Sequence, residues 1–167
     1  MRRTLFRQLE AQLLPLLVNT RLYQCDLSLQ HGNTTVLLHC MAVAYYSLKL
    51  ATLLNIQCDR KSLIRGALLH DYFLYDWHDP DPSHRLHGLH HAATALRNAS
   101  SDASLTEIER DIILHHMFPL NISPPRSKEA ILVCLVDKGC GMYETFRRDA
   151  YHELREFLSD AIRSASK

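Results

Sequence analysis

Apolar residues recur at three-to-four spacing in one segment after another, the pattern of helices that each bury one face. Leu5, Leu9, Leu13, Leu16 and Leu17 predict an amphipathic helix over residues 2–25, bent or restarted at Pro15, that acts as a packing arm. A turn at His31-Gly32-Asn33 follows, and Asn33 or Thr34 is placed to cap a long helix through about Asn55, with Val36, Leu37, Val43, Ala44, Leu48 and Ala51 on a broad apolar face. Asp59 is a good N-cap for a helix from Arg60 to about His70, whose inward side is Leu63, Ile64, Ala67, Leu68 and Leu69. From Tyr72 to Pro82 the two prolines lie one residue apart, which predicts a loop rich in aromatics and carboxylates. Ser83 caps a helix from about His84 to Asn98, with His87 and His91 four apart on one face. Thr106 and Glu109 form a capping box that opens a helix to His115-His116. Pro119, Pro124 and Pro125 mark a loop. Ser127 starts a helix whose face of Ile131, Leu132, Leu135 and Val136 ends in Asp137-Lys138, and a last amphipathic helix runs from about Asp149 to Arg163.

No segment alternates with period two, so a sheet is not expected and the predicted fold class is all-α. The chain reads as a single-domain bundle of six to seven helices: residues 1–30 an N-terminal packing helix, 31–145 the core, 146–167 a closing helix and tail. A formal net charge of +1, from 19 basic and 18 acidic residues, gives no electrostatic footprint for a nucleic acid polymer. Five cysteines, odd in number and without CxxC spacing, predict reduced thiols. Met1-Arg2-Arg3-Thr4 begins basic but leads into a segment with Arg7, Glu10 and Pro15, unlike a signal peptide, and no run approaches a membrane span. The expected setting is cytoplasmic, away from membranes.

Histidine changes the picture. The chain has 11, and six fall between His70 and His91. Gly66-Ala67-Leu68-Leu69-His70-Asp71 carries an imidazole and a carboxylate off the end of an apolar helix, where an unpaired charge costs several kcal/mol unless a cation or donor compensates it. In chain order the candidate metal ligands are His39, His70, Asp71, His91, His115, His116 and Asp137, at or near the ends of different helices that a bundle can converge on one cavity. Singly each has a bland reading: His39 a hydrogen-bonded core histidine, His70-Asp71 a capped helix end, His91 and His87 a solvated face. His115 and His116 point about 100° apart if helical, so both reach one metal only if the helix ends there, as Pro119 permits. Asp137, after Leu132-Val133-Cys134-Leu135-Val136, is the hardest to explain without a partner.

This order of His, His-Asp, His, His and Asp on consecutive helices resembles the HD-domain superfamily of metal-dependent phosphohydrolases. The resemblance covers about residues 31 to 145: HCMAVAYYSLKLA from His39 is similar to the first-histidine helix, GALLHD to the naming motif and LVDKG to the final-aspartate helix. It implies one ion held by His39, His70, Asp71 and Asp137. Members with two ions add a His-x-x-x-small motif, matched by His91 to Ala95, and a further histidine, matched by His116 or the pair His115-His116, with Asp71 bridging. The chain departs from the common pattern just after the pair, where Tyr72-Phe73-Leu74-Tyr75-Asp76-Trp77-His78 replaces a short Gly-Lys turn; this concerns the substrate pocket and not the metal core.

The implied cofactor is one or two divalent transition-metal ions, Fe, Mn, Co, Ni or Zn, which suit imidazole and carboxylate better than Mg or Ca does. Two such ions neutralise phosphoryl charge and make hydroxide available near neutral pH, so the implied reaction is phosphoester hydrolysis of a small phosphorylated metabolite, with nucleotides foremost. Asp71 and Lys138 are the candidate catalytic pair, Lys138 contacting a substrate phosphate or pairing with a carboxylate. Arg85 and Arg126, each near a helix start, are candidate phosphate donors or plain surface arginines. His87 is a candidate second-shell or substrate contact, and Asp76, with Trp77 and His78, shapes the pocket or supplies a general acid. The same ligand order also serves mixed-valent di-iron oxygenases, and a non-catalytic module that holds a nucleotide through the metal is the third reading.

Overall fold

The computed structural model describes residues 1–75, 87–147 and 149–166, without the side chains of His31 and residues 87–89. Asp76 and Arg85, the Ser83 cap and the predicted helix start at His84 lie outside the described residues.

Seven α-helices stand among the described residues: α1 Arg2–Asn19, α2 Val36–Leu53, α3 Arg60–Leu69, α4 His87–Asp102, α5 Glu107–His115, α6 Lys128–Phe146 and α7 His152–Ala165. The fold is all-α. A short 3-10 helix, Leu22–Asp26, and a small hairpin of β1 Leu29–His31 and β2 Thr34–Thr35 join α1 to α2. The hairpin was not expected, because strands of three and two residues are too short to show alternation. Its turn is the predicted one, with Gly32 at φ +57, a backbone that costs glycine nothing. A Cβ on Gly32 would stand 3.3 Å from the Glu144 carbonyl, so the hairpin presses on α6.

The predicted caps at Asp59, Thr106 and Ser127 are all present, each side chain accepting from backbone N–H groups of the first turn. The cap of α2 is Thr35, accepting from Leu38, and not Asn33 or Thr34. Thr34 pairs in β2 and is buried, and its hydroxyl makes no hydrogen bond to the helix start. α1 continues through Pro15, which faces solvent, and buries the five predicted leucines; the chain breaks after Asn19. α6 departs most from expectation. It runs nine residues beyond Asp137, and Ile131 and Leu135, predicted on its buried face, are 46% and 64% exposed, while Leu132, Val133, Cys140 and Glu144 point inward.

α2 is at the centre, packed by α3 and α6; α5 lies against α3 and α6, α4 flanks α5, and α1 pairs with α7 on the outside. By length and composition α2 alone among the described helices could cross a membrane, a feature the sequence reading missed. Most of it, 72%, is instead buried inside the bundle, which is what a broadly apolar helix requires. One apolar cluster runs from Leu5 in α1 to Ala161 in α7. Gly66 sets the distance between α3 and α5, since a Cβ there would stand 2.5 Å from the Ile112 Cδ1. That close approach brings the ends of the two helices, His70 and His116, together.

Candidate metal centre

Five elements supply the cluster. α2 contributes His39 from its first turn; α3 ends at His70 with Asp71 in the following turn; α4 gives His91, α5 ends at His116, and α6 gives Asp137 from its middle. α4 is held in place by Asn98, whose side-chain amide donates to the carbonyls of Tyr72 and Phe73 at 3.1 and 3.0 Å, and by Tyr72, whose hydroxyl donates to Asp102 at 2.6 Å. His91 is seven residues from Asn98, on the same face, and so is carried to Asp71. His39, His70, Asp71 and His116 are at most 2% exposed.

Hydrogen bonds fix which nitrogen each ring presents. His70 Nδ1 lies 2.8 Å from the Ala67 carbonyl and His116 Nδ1 2.8 Å from the Ile113 carbonyl. A carbonyl only accepts, so both Nδ1 atoms carry a proton, and each ring when neutral turns the lone pair on Nε2 inward. His39 Nδ1 lies 2.9 Å from both oxygens of the buried Glu144 carboxylate, with the same consequence.

Those Nε2 atoms meet oxygens that are also lone-pair bearers. His39 Nε2 is 3.0 Å and His70 Nε2 3.5 Å from Asp137 Oδ1. His70 Nε2 is 3.5 Å and His39 Nε2 3.9 Å from Asp71 Oδ2. The other Asp71 oxygen, Oδ1, is 3.2 Å from His91 Nε2 and 3.4 Å from His116 Nε2, which are themselves 2.9 Å apart. His70 Nε2 and Asp71 Oδ1 are buried without a hydrogen-bond partner. Such a set needs positive charge, which protonated rings or a cation can supply. Burial opposes charge on His39 and His70, but Asp137 and Glu144 around the first and Asp71 around the second overcome it and raise both well above the ordinary imidazole value. Burial likewise pushes the Asp71 and Asp137 carboxyls up, and the neighbouring imidazoles more than reverse it. His116 moves the other way: burial lowers it and favours the neutral ring.

The separations suit coordination. Atoms about 2.1 Å from a common ion stand about 3.0 Å apart at right angles and about 3.4 Å apart at the tetrahedral angle. Among the described residues two groups could hold a metal, His39 with His70 and Asp137, and His70 with Asp71 and His116, the ligand atoms of each lying within 4.8 Å of one another. Imidazole nitrogen with carboxylate oxygen is a donor set for a divalent transition metal.

Of the predicted site residues, the structure brings together His39, His70, Asp71, His91, His116 and Asp137. His115 it does not: its Nδ1 bonds Asp111 Oδ1 at 2.7 Å, and the ring lines a cavity of about 600 Å³ with Leu96, Arg110, Asp111 and Arg126, outside the cluster. The physical reason is the helical offset between neighbours, which sends one ring to each side of α5. Lys138 is also directed elsewhere; its Nζ donates to the carbonyls of His116 at 2.8 Å and Cys134 at 3.3 Å, tying the end of α5 to α6. Arg126 borders the His115 cavity and its backbone N–H donates to Asp111. His87 begins α4, and its side chain lies outside the described residues, as do Asp76 and Arg85.

Three residues escaped the sequence reading. Glu144, wholly buried, sits seven positions after Asp137 on the same face of α6, a spacing that could have revealed it. Gln30 donates from β1 to Asp71 Oδ2 at 2.7 Å, with no sequence signal. Asp111, four before His115, was visible as a helical pair.

The chain matches no curated protein and no solved structure. Residues 36–140, from the start of α2 to the buried Cys140 of α6, match the HD domain family. With that match over more than half its length, and with histidine and aspartate converging as described, the chain belongs to the HD-domain family, whose domains bind divalent metals and are in general hydrolases.

Proposed function

We propose that the protein is a metal-dependent phosphohydrolase with a two-ion centre, acting on a small phosphorylated metabolite, with nucleotides as the leading class. The observation that carries this reading is the orientation of Asp71: one oxygen faces His39 and His70, the other faces His91 and His116, so a single carboxylate spans two sets of imidazoles. His39, His70, Asp71 and Asp137 would hold one ion, and Asp71, His91 and His116 the other. When bound, the ions supply positive charge that drains electron density from a phosphoryl group and acidifies water enough to attack it near neutral pH.

The chain's own residues do the positioning. Glu144 fixes the His39 tautomer, the Ala67 and Ile113 carbonyls fix those of His70 and His116, and Gln30 orients Asp71 through Oδ2. Asp137, with its side chain 13% exposed against 3% for Asp71, marks the side from which substrate enters. Lys138 supports the centre through the His116 carbonyl.

The test pairs composition with turnover. Protein purified without chelator should carry two transition-metal ions per chain and, with Mn or Fe, hydrolyse members of a panel of phosphomonoesters, nucleotides and dinucleotides, under argon as in air. His70→Ala and Asp71→Ala should abolish that turnover; equal turnover in the variants rejects the assignment.

A further inference from the structure

The outer face of α6 carries an apolar stripe that its own fold leaves uncovered. Ile131, Leu135, Met142 and Phe146 are 46%, 64%, 64% and 80% exposed. At 100° per residue they fall within an arc of about 60°, along about 22 Å of helix. Lys138 borders that arc, about 20° beyond its edge, and its ammonium is drawn back to the carbonyls of His116 and Cys134, so its methylenes are what it adds beside the stripe.

Two further features say what covers it. The spacing is symmetric: Ile131 and Phe146 lie equally far from the point between Lys138 and Gly139, and so do Leu135 and Met142. Gly139 stands at that centre, where a Cβ would meet nothing within 4 Å. Glycine is disfavoured inside a helix for its backbone entropy, and here no internal contact demands it. A bare backbone at the midpoint of a palindromic apolar stripe is what a close antiparallel crossing of two identical helices requires.

We propose that α6 is a two-fold interface between two copies of this chain, with Ile131 packing on Phe146 of the second copy, Leu135 on its Met142, and the two Gly139 backbones at the crossing. A stable contact of this kind takes about 800 Å² from each copy. Leu120 and Ile122, 56% and 91% exposed, follow in the loop whose His116 and Phe118 carbonyls accept from Lys138 and Cys134 of α6. Asp137 and Glu144 lie about half a turn away on the buried side of α6, so pairing leaves both metal centres accessible and does not depend on their chemistry.

Sedimentation of the full chain between about 1 and 100 µM tests the proposal. The expected result is a dimer that Gly139→Leu and Leu135→Glu convert to a monomer of unchanged far-UV helicity. The register has its own test: the double variant Leu135→Cys with Met142→Cys should oxidise to a covalent dimer, and neither single variant should. A wild-type monomer at the highest concentration overturns the proposal, including one that instead co-sediments with phosphatidylcholine–phosphatidylserine vesicles. So does a dimer indifferent to Gly139→Leu, or one in which the single-cysteine variants cross-link as well as the double.

Discussion

Asp71 and Asp111 are both largely buried aspartates beside histidine, yet they differ in what surrounds them. Asp111 collects hydrogens: from His115 Nδ1, from the backbone N–H groups of Arg126 and Ser127, and from the Ser127 hydroxyl. It is satisfied, and the loop into α6 is fastened by it. Asp71 accepts one side-chain amide, from Gln30, and otherwise faces four imidazoles, three of them with the Nδ1 proton committed elsewhere. Its Oδ1 has no hydrogen-bond partner. A buried His–Asp pair therefore signals a cation site only when the protons available fall short of the lone pairs that must be covered. Neighbouring residues of one helix, His115 and His116, fall on opposite sides of that line.

The largest expected contrast comes from making the two acids neutral. Asp71→Asn should reduce bound metal from two ions per chain to fewer than one and take phosphatase turnover to background, as metal analysis and steady-state rates will record. In the wild type, metal at about 100 times its dissociation constant should raise stability by about 2.7 kcal/mol, roughly 5–10 °C in the melting midpoint. Asp71→Asn should show no such shift. Its metal-free form should melt below metal-free wild type, because the imidazoles around Asp71 hold its carboxyl below the usual carboxylate range and the substitution removes the negative charge that pairs with them. A metal-induced shift of normal size in Asp71→Asn would break the comparison.

Next in size is Glu144→Gln. The amide can still accept from His39 Nδ1, so ring orientation survives while the negative charge behind the ring is lost. Carboxylates behind a ligating histidine are worth 10–100-fold in metal affinity, so binding to the His39 side should weaken by about that factor while helicity is unchanged. Titration with a competing chelator measures it. Unaltered affinity would mean that Glu144 orders the apo ring alone.

How much of this was legible beforehand depends on the range of the interaction. Asp59, Thr106 with Glu109, and Ser127 act within one helical turn, and their caps stand where the sequence put them. The order of His39, His70-Asp71, His91, His116 and Asp137 is written along the chain, and the bundle brings those residues to one place. Glu144 was overlooked because a glutamate near a helix end is ordinarily solvated, and its burial depends on α2 lying alongside. Gln30 reaches Asp71 from a hairpin too brief to announce itself. The inward face of α6 was misassigned because Ile131 and Leu135 are as apolar as the residues that do face the core. Period alone cannot choose between two apolar stripes, whereas the positions of Asp137 and Glu144 could have done so.

Acid sharpens the Asp111 half of the comparison at a smaller scale. Burial pushes its carboxyl up, and hydrogen bonds from Ser127, His115 and Arg126 outweigh this and hold it below the usual carboxylate range. A lowered folded-state value means stability that is fully present above the unfolded value, about 4, and lost as pH falls through the folded one. Denaturant midpoints measured with chelator present should decline below about pH 4 by at most ~1.4 kcal/mol per pH unit for this proton. Asp111→Asn, already weaker at neutral pH, should lose that share of the decline.

The smallest effect expected belongs to His115, and it is the most discriminating. His115→Gln removes the ring that donates to Asp111, while Ser127 and the Arg126 N–H continue to satisfy the carboxylate. The cost should be about 0.5–1.5 kcal/mol, the net worth of one hydrogen bond, with metal content and turnover at wild-type levels. His116→Gln, one position on, should lose the second ion. If His115→Gln also sheds metal, the ring must leave Asp111 to reach the cluster when ions bind. The division between a satisfied pair and a cation-seeking one would then describe only the metal-free chain.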